Sequence, residues 1–123
     1  MAKKILLVDD SATSRLTNRL LLGKYANYEV ISACDGKQGV ELALKQRPDL
    51  IVMDIEMPRM SGLEACKFLR QQESTKDTPI ILLTTRSGDS IVQEGYASGC
   101  NDFLNKPVNE SQLVSLLKVY LCE

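Results

Sequence analysis

The chain has 123 residues, of which 44% are hydrophobic and 25% are charged, and its formal net charge is −1. This length is enough for one domain with one sizeable core, so residues 1–123 are expected to form a single domain. The balanced charge gives no general attraction to nucleic acid or to an anionic membrane surface. Function must therefore come from a local site.

The sequence contains no apolar run that approaches the roughly 18 residues a membrane-spanning helix needs. Its first residues, "MAKKILLVDD", hold a short apolar run that ends in acids, unlike a secretory signal peptide. We predict a cytoplasmic protein that binds neither membrane nor nucleic acid and is a monomer or weak dimer.

Histidine is absent from the chain, and four cysteines are widely scattered. They are Cys34, Cys66, Cys100 and Cys122. Structural zinc therefore lacks its usual ligand spacing, and neither a Ser-His-Asp nor a Cys-His nucleophile system can be built. The cysteines are predicted to be small apolar residues in a reducing compartment.

Five apolar runs recur along the chain, each followed by turn residues and then by a helical pattern. The runs are Lys4–Val8, Glu29–Ala33, Leu50–Met53, Ile80–Thr84 and Asp102–Asn105. Three of them are continuously apolar, which is typical of parallel strands covered by helices on both faces. With right-handed crossovers, the pattern predicts an α/β fold with a doubly wound, five-stranded parallel sheet and five helices.

The helices are indicated by their first residues and by apolar stripes. Ser11 or Thr13 is expected to cap the first helix, and four later segments fit a capping-box pattern or a close variant. These segments begin at Asp35, Ser61, Ser90 and Asn109. The core-facing stripes are predicted to be Leu16, Leu20 and Leu21 in the first helix, and Leu113, Leu116, Leu117 and Tyr120 in the last.

The fourth helix has the weakest pattern, because Gly88, Gly95 and Gly99 fall within or beside it. An interior glycine costs a helix about 1 kcal/mol relative to alanine. We therefore expect this helix to be short and comparatively mobile.

Reactive side chains fall at the carboxyl ends of four predicted strands. Asp9 and Asp10 follow the first strand, Asp54 the third, Thr84 ends the fourth, and Lys106 follows the fifth. In such a sheet, ligands bind beyond the carboxyl ends of the strands, where the strand order reverses. If the first and third strands are neighbours, three carboxylates converge there.

Three converging carboxylates repel one another, so either their pKa values rise or a cation is bound. An all-oxygen set of ligands favours a hard ion such as Mg²⁺, which commonly serves phosphate chemistry. Lys106 and Thr84 would stabilise a transferring phosphoryl group. A carboxylate could then act as the nucleophile and form an acyl phosphate.

Each of these residues also has a simpler interpretation. Asp9 and Asp10 could belong to a helix cap, Asp54 to a turn, Thr84 to a β-strand and Lys106 to the solvated surface. Their joint occurrence at four strand ends favours a site.

Four segments resemble the CheY-like receiver domain of two-component response regulators, and the likeness covers essentially the whole chain. They are "VDDS", "MDIEMPRMSG", "ILLTT" and "DFLNKPV". The resemblance implies the flavodoxin-like (βα)5 fold with strand order 2-1-3-4-5. It also implies that Asp54 is the phosphoacceptor, that Asp10 ligates Mg²⁺ directly and Asp9 through water, and that the backbone carbonyl of Glu56 completes the protein ligands. Mn²⁺ is expected to substitute for Mg²⁺.

The same resemblance assigns the switching residues. Thr84 and Lys106 would contact phosphoryl oxygens, and Phe103 would be the aromatic switch residue, without the hydroxyl of the common tyrosine. The Lys106–Pro107 peptide bond would be cis. Glu56 and Arg86 occupy positions that tune phosphate loss, and their opposite charges predict an ion pair across the site mouth that slows hydrolysis.

The predicted function is that of a single-domain response regulator, a switch that catalyses its own phosphorylation and dephosphorylation without being a turnover enzyme. A histidine kinase, a phosphotransfer protein or a small phosphodonor would supply the phosphoryl group. Helix four, strand five and helix five would bind a downstream protein target, in chemotaxis, twitching motility or a phosphorelay.

Three other functions were weighed against this one. A Mg²⁺-dependent phosphohydrolase with an aspartyl nucleophile would need a second aspartate two residues later, where this chain has Glu56. A nucleotide or flavin binder would need a phosphate-binding loop, yet neither GxxxxGK[ST] nor GxGxxG is present. A degenerate receiver would lack some of the key residues, and all of them are present.

Overall fold

The computed structural model describes residues 2–25 and 27–121, in which strands and helices alternate. The elements are β1 (Lys3–Val8), α1 (Ala12–Gly23), β2 (Tyr28–Ala33), α2 (Gly36–Gln46), β3 (Leu50–Asp54), α3 (Gly62–Arg70), β4 (Ile80–Thr84), α4 (Asp89–Ala97), β5 (Asp102–Asn105) and α5 (Glu110–Tyr120).

The five strands form one parallel sheet in the order β2-β1-β3-β4-β5, which confirms the predicted fold and strand order. Strands β4 and β5 have the predicted bounds. Strands β1 and β2 begin one residue earlier than predicted, and β3 extends one residue further, to Asp54. The strand order reverses between β1 and β3, so a crevice opens at their carboxyl ends.

The apolar runs are continuous because helices cover both faces of the sheet. In β1, Ile5 and Leu7 face the core formed with α1 and α5, whereas Leu6 and Val8 face the core formed with α2, α3 and α4. All four side chains are buried. Successive residues of a strand point to opposite faces, so a strand between two helix layers needs apolar side chains on both.

Side-chain caps begin four of the five helices, as predicted. Ser11, Asp35, Ser61 and Asn109 each accept a hydrogen bond from the backbone N–H three residues later, and Ser61 with Glu64 completes a capping box. The prediction for α4 was wrong. This helix begins at Asp89, before the predicted cap Ser90, and in the described structure its N-cap Gly88 makes no side-chain cap bond.

The predicted core stripe of α1 was wrong at Leu16 and Leu20, whereas Leu21 packs partly buried against the core. Leu16 and Leu20 are 58% and 64% exposed, and the buried residues of this helix are Asn18 and Leu22. Each exposed leucine lies two residues before a buried position, which is about 200° around the helix. The sequence spacing is therefore helical, but the sheet contacts the opposite face.

The last two helices follow the predictions in part. In α5, Leu113 and Leu117 are buried, and Leu116 and Tyr120 pack against the same core, so that stripe is confirmed. Helix α4 has nine residues, the same number as α3, so it is not unusually short. Its mobility stays a prediction.

The described cysteines are free: Cys66 and Cys100 are buried and Cys34 is exposed, while Cys122 lies outside the described residues. Burial raises the pKa of Cys100 to about 12, so this thiol stays protonated near neutral pH. Within residues 2–25 and 27–121, no helix has the length and apolar character that crossing a membrane requires.

Gly62 allows the chain after β3 to fold back closely on the strand end that carries Asp54. A Cβ atom at this position would collide with the Asp54 carbonyl oxygen and would lie 2.9 Å from the Ile55 Cα. We expect Gly62→Ala to lower the free energy of unfolding by about 1–3 kcal/mol in urea denaturation, because rigid backbone must move.

Gly23→Ala is the matched control, since no described atom lies within 4 Å of an added Cβ there. It should leave stability unchanged or raise it by up to about 1 kcal/mol. Equal effects of the two substitutions would contradict the close approach at Gly62.

Candidate functional site

Three carboxylates meet where β1 and β3 end. Val8 pairs with Met53 in the sheet. The residues that follow them, Asp9 just after β1 and Asp54 at the end of β3, therefore lie side by side. One carboxylate oxygen from each of Asp9, Asp10 and Asp54 lies within 4.8 Å of the other two. Asp9 and Asp54 are buried, at 0% and 4% exposure, whereas Asp10 is exposed. The cluster therefore has a buried side and a side open to water.

Lys106 neutralises part of this charge from the end of β5. Its Nζ atom lies 3.0 Å from Asp9 Oδ2 and 3.0 Å from Asp54 Oδ2. The lysine backbone N–H donates to the Thr84 carbonyl at 2.8 Å, and the Lys106–Pro107 peptide bond is cis, as the resemblance implied. One ammonium group thus bridges two carboxylates that would otherwise repel each other.

Burial raises the pKa of the Asp54 carboxyl from 3.8 to about 6. The hydrogen bond and charge of Lys106 act in the opposite direction, whereas the charges of Asp9 and Glu56 raise the pKa further. Burial also opposes the charged form of Lys106, but its bonds to the two aspartates outweigh this, and the net effect raises its pKa. The lysine therefore stays charged near neutral pH, and burial makes the negative charge of Asp54 less favourable than that of an exposed aspartate.

The two oxygens of Asp54 have different environments. Oδ2 accepts the bond from Lys106, whereas Oδ1 is the one buried side-chain polar atom of the described residues that has no hydrogen-bond partner. An unpartnered buried carboxylate oxygen is costly unless something binds it. Three carboxylates without a nitrogen or sulfur ligand match a hard cation, so these residues fit Mg²⁺.

Asp9 is held by the first turn of α1. Its Oδ1 accepts from the Ser11 backbone N–H at 2.9 Å, and its carbonyl oxygen accepts from Arg15 Nη1 at 2.7 Å. Ser11 caps α1, so the cap lies one residue after the two aspartates, whose role as site residues stays a prediction. The role of Arg15 was missed, since nothing in its spacing from Asp9 indicated a backbone contact.

Thr84 and Glu56 form a second polar group at the site. Thr84 Oγ1 lies 2.7 Å from one oxygen of the Glu56 carboxylate and 2.9 Å from the other. The Thr85 backbone N–H donates to Glu56 Oε1 at 2.9 Å, and the Thr85 hydroxyl lies 3.3 Å from the same oxygen.

The expected ion pair between Glu56 and Arg86 is not formed among the described residues. The Glu56 carboxylate is satisfied by hydroxyl and amide donors at the end of β4, whereas Arg86 is exposed. The prediction of Arg86 as the partner of Glu56 was wrong. It considered only charged residues, whereas Glu56 bonds to uncharged hydroxyl and amide donors.

Phe103 lies in β5, partly buried against the core under α4. Its ring fills space left by Gly95, where an added Cβ would lie 3.0 Å from two ring carbons. The Tyr96 ring lies outside it, with centroids 6.5 Å apart. The aromatic residue at the predicted switch position is therefore in direct contact with α4, and its switching role stays a prediction.

The raised pKa of Asp54 gives a prediction about stability. An acid whose pKa is higher in the folded than in the unfolded protein is destabilising once ionised, so this cost grows as the pH rises from about 4 to about 7. Asparagine does not ionise. Asp54→Asn should therefore increase the free energy of unfolding relative to the parent by about 2 kcal/mol more at pH 7 than at pH 4.

Urea denaturation in EDTA at the two pH values measures this difference. Asp77→Asn is the control, because Asp77 is exposed and precedes the amino end of β4, whereas the site lies at the carboxyl ends of the strands. If the effect of Asp54→Asn is the same at both pH values, Asp54 does not have a raised pKa.

Known proteins share this sequence pattern and fold. Residues 5–118 match the family model described as the response regulator receiver domain. PilH of Pseudomonas aeruginosa is 35% identical over 118 residues, which cover 96% of this chain and 97% of PilH. PleD of Caulobacter vibrioides is 35% identical over 119 residues, covering 96% of this chain, which spans about a quarter (26%) of PleD.

A solved structure extends the likeness to three dimensions. The receiver domain of the sensor histidine kinase PA1611 from P. aeruginosa PAO1 superposes with a TM-score of 0.91, at 31% identity and over 100% of both chains. That structure has a magnesium ion coordinated in its active-site cleft. Because the family model covers nearly the whole of a chain with this fold and this acidic crevice, the chain belongs to the response regulator receiver domains of two-component signalling.

Proposed function

We propose that this receiver is a phosphorylation-driven switch in which Asp54 accepts a phosphoryl group from a histidine kinase phosphohistidine, a phosphotransfer protein or a small phosphodonor. The observation that supports this most is the asymmetry of Asp54: Lys106 holds one carboxylate oxygen, while the other is buried and has no described partner. Residues 1–123 would act as one receiver module, and the protein would be a switch and not a turnover enzyme.

The proposed metal ligands are the carboxylates of Asp10 and Asp54, the backbone carbonyl of Glu56, and Asp9 through water. Mg²⁺, or Mn²⁺ in its place, would reduce the repulsion between the carboxylates and the incoming phosphoryl oxygens. Asp10 is the exposed member of the cluster, so it lies where a hydrated ion and a phosphodonor can approach.

The proposed chemical step makes one bond and breaks one. A carboxylate oxygen of Asp54 attacks phosphorus, and the P–N bond of phosphohistidine, or the P–O bond of acetyl phosphate, breaks. The leaving group keeps the electron pair of that bond. A phosphohistidine ring then takes up a proton from water. Lys106, already bonded to Asp54 Oδ2, would pair with one phosphoryl oxygen, and the Thr84 hydroxyl would donate to another once it leaves Glu56.

A phosphodonor has an approach to this site. An open groove of about 410 Å³ runs between the start of α1 and the β5–α5 segment, with Thr13, Asn18, Lys106 and Val108 in its wall. Lys106 connects this groove to the acidic cluster. We propose that the groove receives the phosphodonor.

The proposed output surface is formed by α4, β5 and α5. Val92 and Tyr96 of α4 and Val119 of α5 are exposed, at 36%, 47% and 68%, and the partly buried Phe103 lies behind Tyr96. A downstream protein would bind there in chemotaxis, twitching motility or a phosphorelay. The cytoplasmic location, the monomeric or weakly dimeric state and the lack of nucleic-acid binding stay predictions.

Incubation with acetyl phosphate and Mg²⁺ tests the assignment of Asp54. Intact mass spectrometry should show one added phosphoryl group, which Asp54→Asn or EDTA abolishes and Asp77→Asn leaves unchanged. Phosphorylation that persists in Asp54→Asn would exclude Asp54 as the acceptor. Many turnovers on a phosphomonoester, without a stoichiometric phosphoprotein, would instead identify a phosphohydrolase.

Asp10→Asn tests the metal site without disturbing the core, because Asp10 is exposed. Removing one charged ligand should weaken Mg²⁺ binding about tenfold or more, as measured by isothermal titration calorimetry. The urea midpoint without metal should change little. Asp77→Asn should bind Mg²⁺ like the parent, and equal affinity of Asp10→Asn and the parent would exclude Asp10 as a ligand.

A further inference from the structure

The Glu56 carboxylate occupies a small group of donors at the end of β4. Thr84 Oγ1, the Thr85 backbone N–H and the Thr85 hydroxyl all point to it, at distances of 2.7–3.3 Å. Two hydroxyls and an amide around one anion are the donors that also suit phosphoryl oxygens. Glu56 is only two residues from Asp54, so a phosphoryl group on Asp54 would compete with the Glu56 carboxylate for these donors.

The Thr84 hydroxyl is fully used in this arrangement. A hydroxyl has one proton to donate, and Thr84 Oγ1 directs it to Glu56 while accepting from the Arg86 backbone N–H at 3.0 Å. Thr84 therefore cannot donate to a phosphoryl oxygen while it is bonded to Glu56. The bond to Glu56 must break before the hydroxyl can serve the phosphorylated site.

The segment after β4 is held from the other side as well. Asn105 Nδ2 donates to the Arg86 carbonyl at 2.8 Å, and the Lys106 backbone N–H donates to the Thr84 carbonyl at 2.8 Å. Glu56 and the end of β5 thus hold residues 84–86 between them. Loss of the Glu56 bonds would free the Thr84 side chain and the Thr85 amide while the bonds from β5 remain.

Charge repulsion between Asp54 and Glu56 opposes the bonds that hold Glu56 in place. The charge of Glu56 already disfavours ionised Asp54 and raises its pKa. A phosphoryl group on Asp54 would carry a charge of roughly −1.5 to −2 and would face the Glu56 carboxylate at short range. Phosphorylation would therefore repel Glu56 from the donors that the phosphoryl oxygens need.

We propose that Glu56 is a positioning residue: its carboxylate holds the Thr84 hydroxyl and the Thr85 amide in the resting conformation, and a phosphoryl group on Asp54 displaces it. The inference deepens the proposed phosphorylation of Asp54 and depends on it. Glu56 then sets how easily the switch is turned on, separately from any effect on the hydrolytic water.

Beryllium fluoride with Mg²⁺ is the probe for this competition, because it imitates a phosphoryl group on the acceptor carboxylate. Glu56→Gln keeps the size of the side chain but removes its charge, so the hydrogen bonds from Thr84 and Thr85 lose their charge assistance and weaken. We expect beryllium fluoride, titrated by NMR, to bind Glu56→Gln about tenfold more tightly than the parent. Glu41→Gln, an equal charge change at an exposed position of α2, should bind like the parent. Equal or weaker binding by Glu56→Gln would overturn the proposal.

Amide hydrogen exchange tests the resting contact in the absence of metal and phosphate. In Glu56→Ala the Thr85 N–H loses its acceptor, so its protection should fall about tenfold, whereas Glu41→Ala should leave it unchanged. Unchanged protection of Thr85 in Glu56→Ala would show that the carboxylate does not hold this segment.

A double-mutant cycle separates the hydroxyl from simple charge repulsion. In a Thr84→Ala background, Glu56→Gln should improve beryllium fluoride binding by less than about threefold, because no hydroxyl remains to be released. A full tenfold gain there would mean that release of the Thr84 hydroxyl contributes nothing and would overturn the role of Glu56 in positioning that hydroxyl.

The phosphorylation assay distinguishes failure of this inference from failure of the proposed function. If the parent takes up one phosphoryl group and Glu56→Gln behaves like it in every measurement, only the role of Glu56 is wrong. If neither protein is phosphorylated nor binds beryllium fluoride, the assignment of Asp54 is wrong, and the role of Glu56 is wrong with it.

Discussion

The structure depends on the pairing of β1 with β3, because this pairing places two buried aspartates side by side. Asp9 and Asp54 leave neighbouring strands after the paired residues Val8 and Met53. Two like charges in a buried position are unfavourable, and Lys106 from β5 bridges them with one ammonium group. The arrangement is only partly neutralised, and one oxygen of Asp54 has no hydrogen-bond partner among the described residues.

This constraint explains why the loops around the site are tied to one another. Lys106 is positioned through its backbone bond to Thr84, and Asn105 bonds to the Arg86 carbonyl. The Thr84 hydroxyl in turn donates to Glu56, which lies in the loop two residues after Asp54. The proposed effect of phosphorylating Asp54 on the ends of β4 and β5 therefore needs only these short contacts and no long pathway.

The fold could be predicted from the sequence because strands covered by helices on both faces need apolar side chains on both. Such strands are continuous apolar runs, as in Ile80–Thr84. The site residues could be listed because strand ends share one edge of a parallel sheet. Contacts chosen by three-dimensional packing could not be predicted. Leu16 and Leu20 have helical spacing yet lie on the exposed face of α1, and Glu56 bonds to uncharged donors and not to Arg86. Periodicity does not say which face meets the sheet, and charge does not reveal hydroxyl or amide donors.

The segment that Glu56 holds leads directly into α4. Four helices begin with a side-chain cap, each typically worth about 1 kcal/mol, whereas the described Gly88 gives α4 none. The segment that leads into α4 is instead fixed by the bonds that Glu56 and Asn105 make to residues 84–86. If a phosphoryl group displaces Glu56, the bonds from Glu56 are lost and those from β5 remain, and the next helix is the one whose Gly95 contacts Phe103 and whose Tyr96 is exposed. A local exchange of one anion for another is thereby connected to the proposed output surface through the least firmly capped helix of the fold.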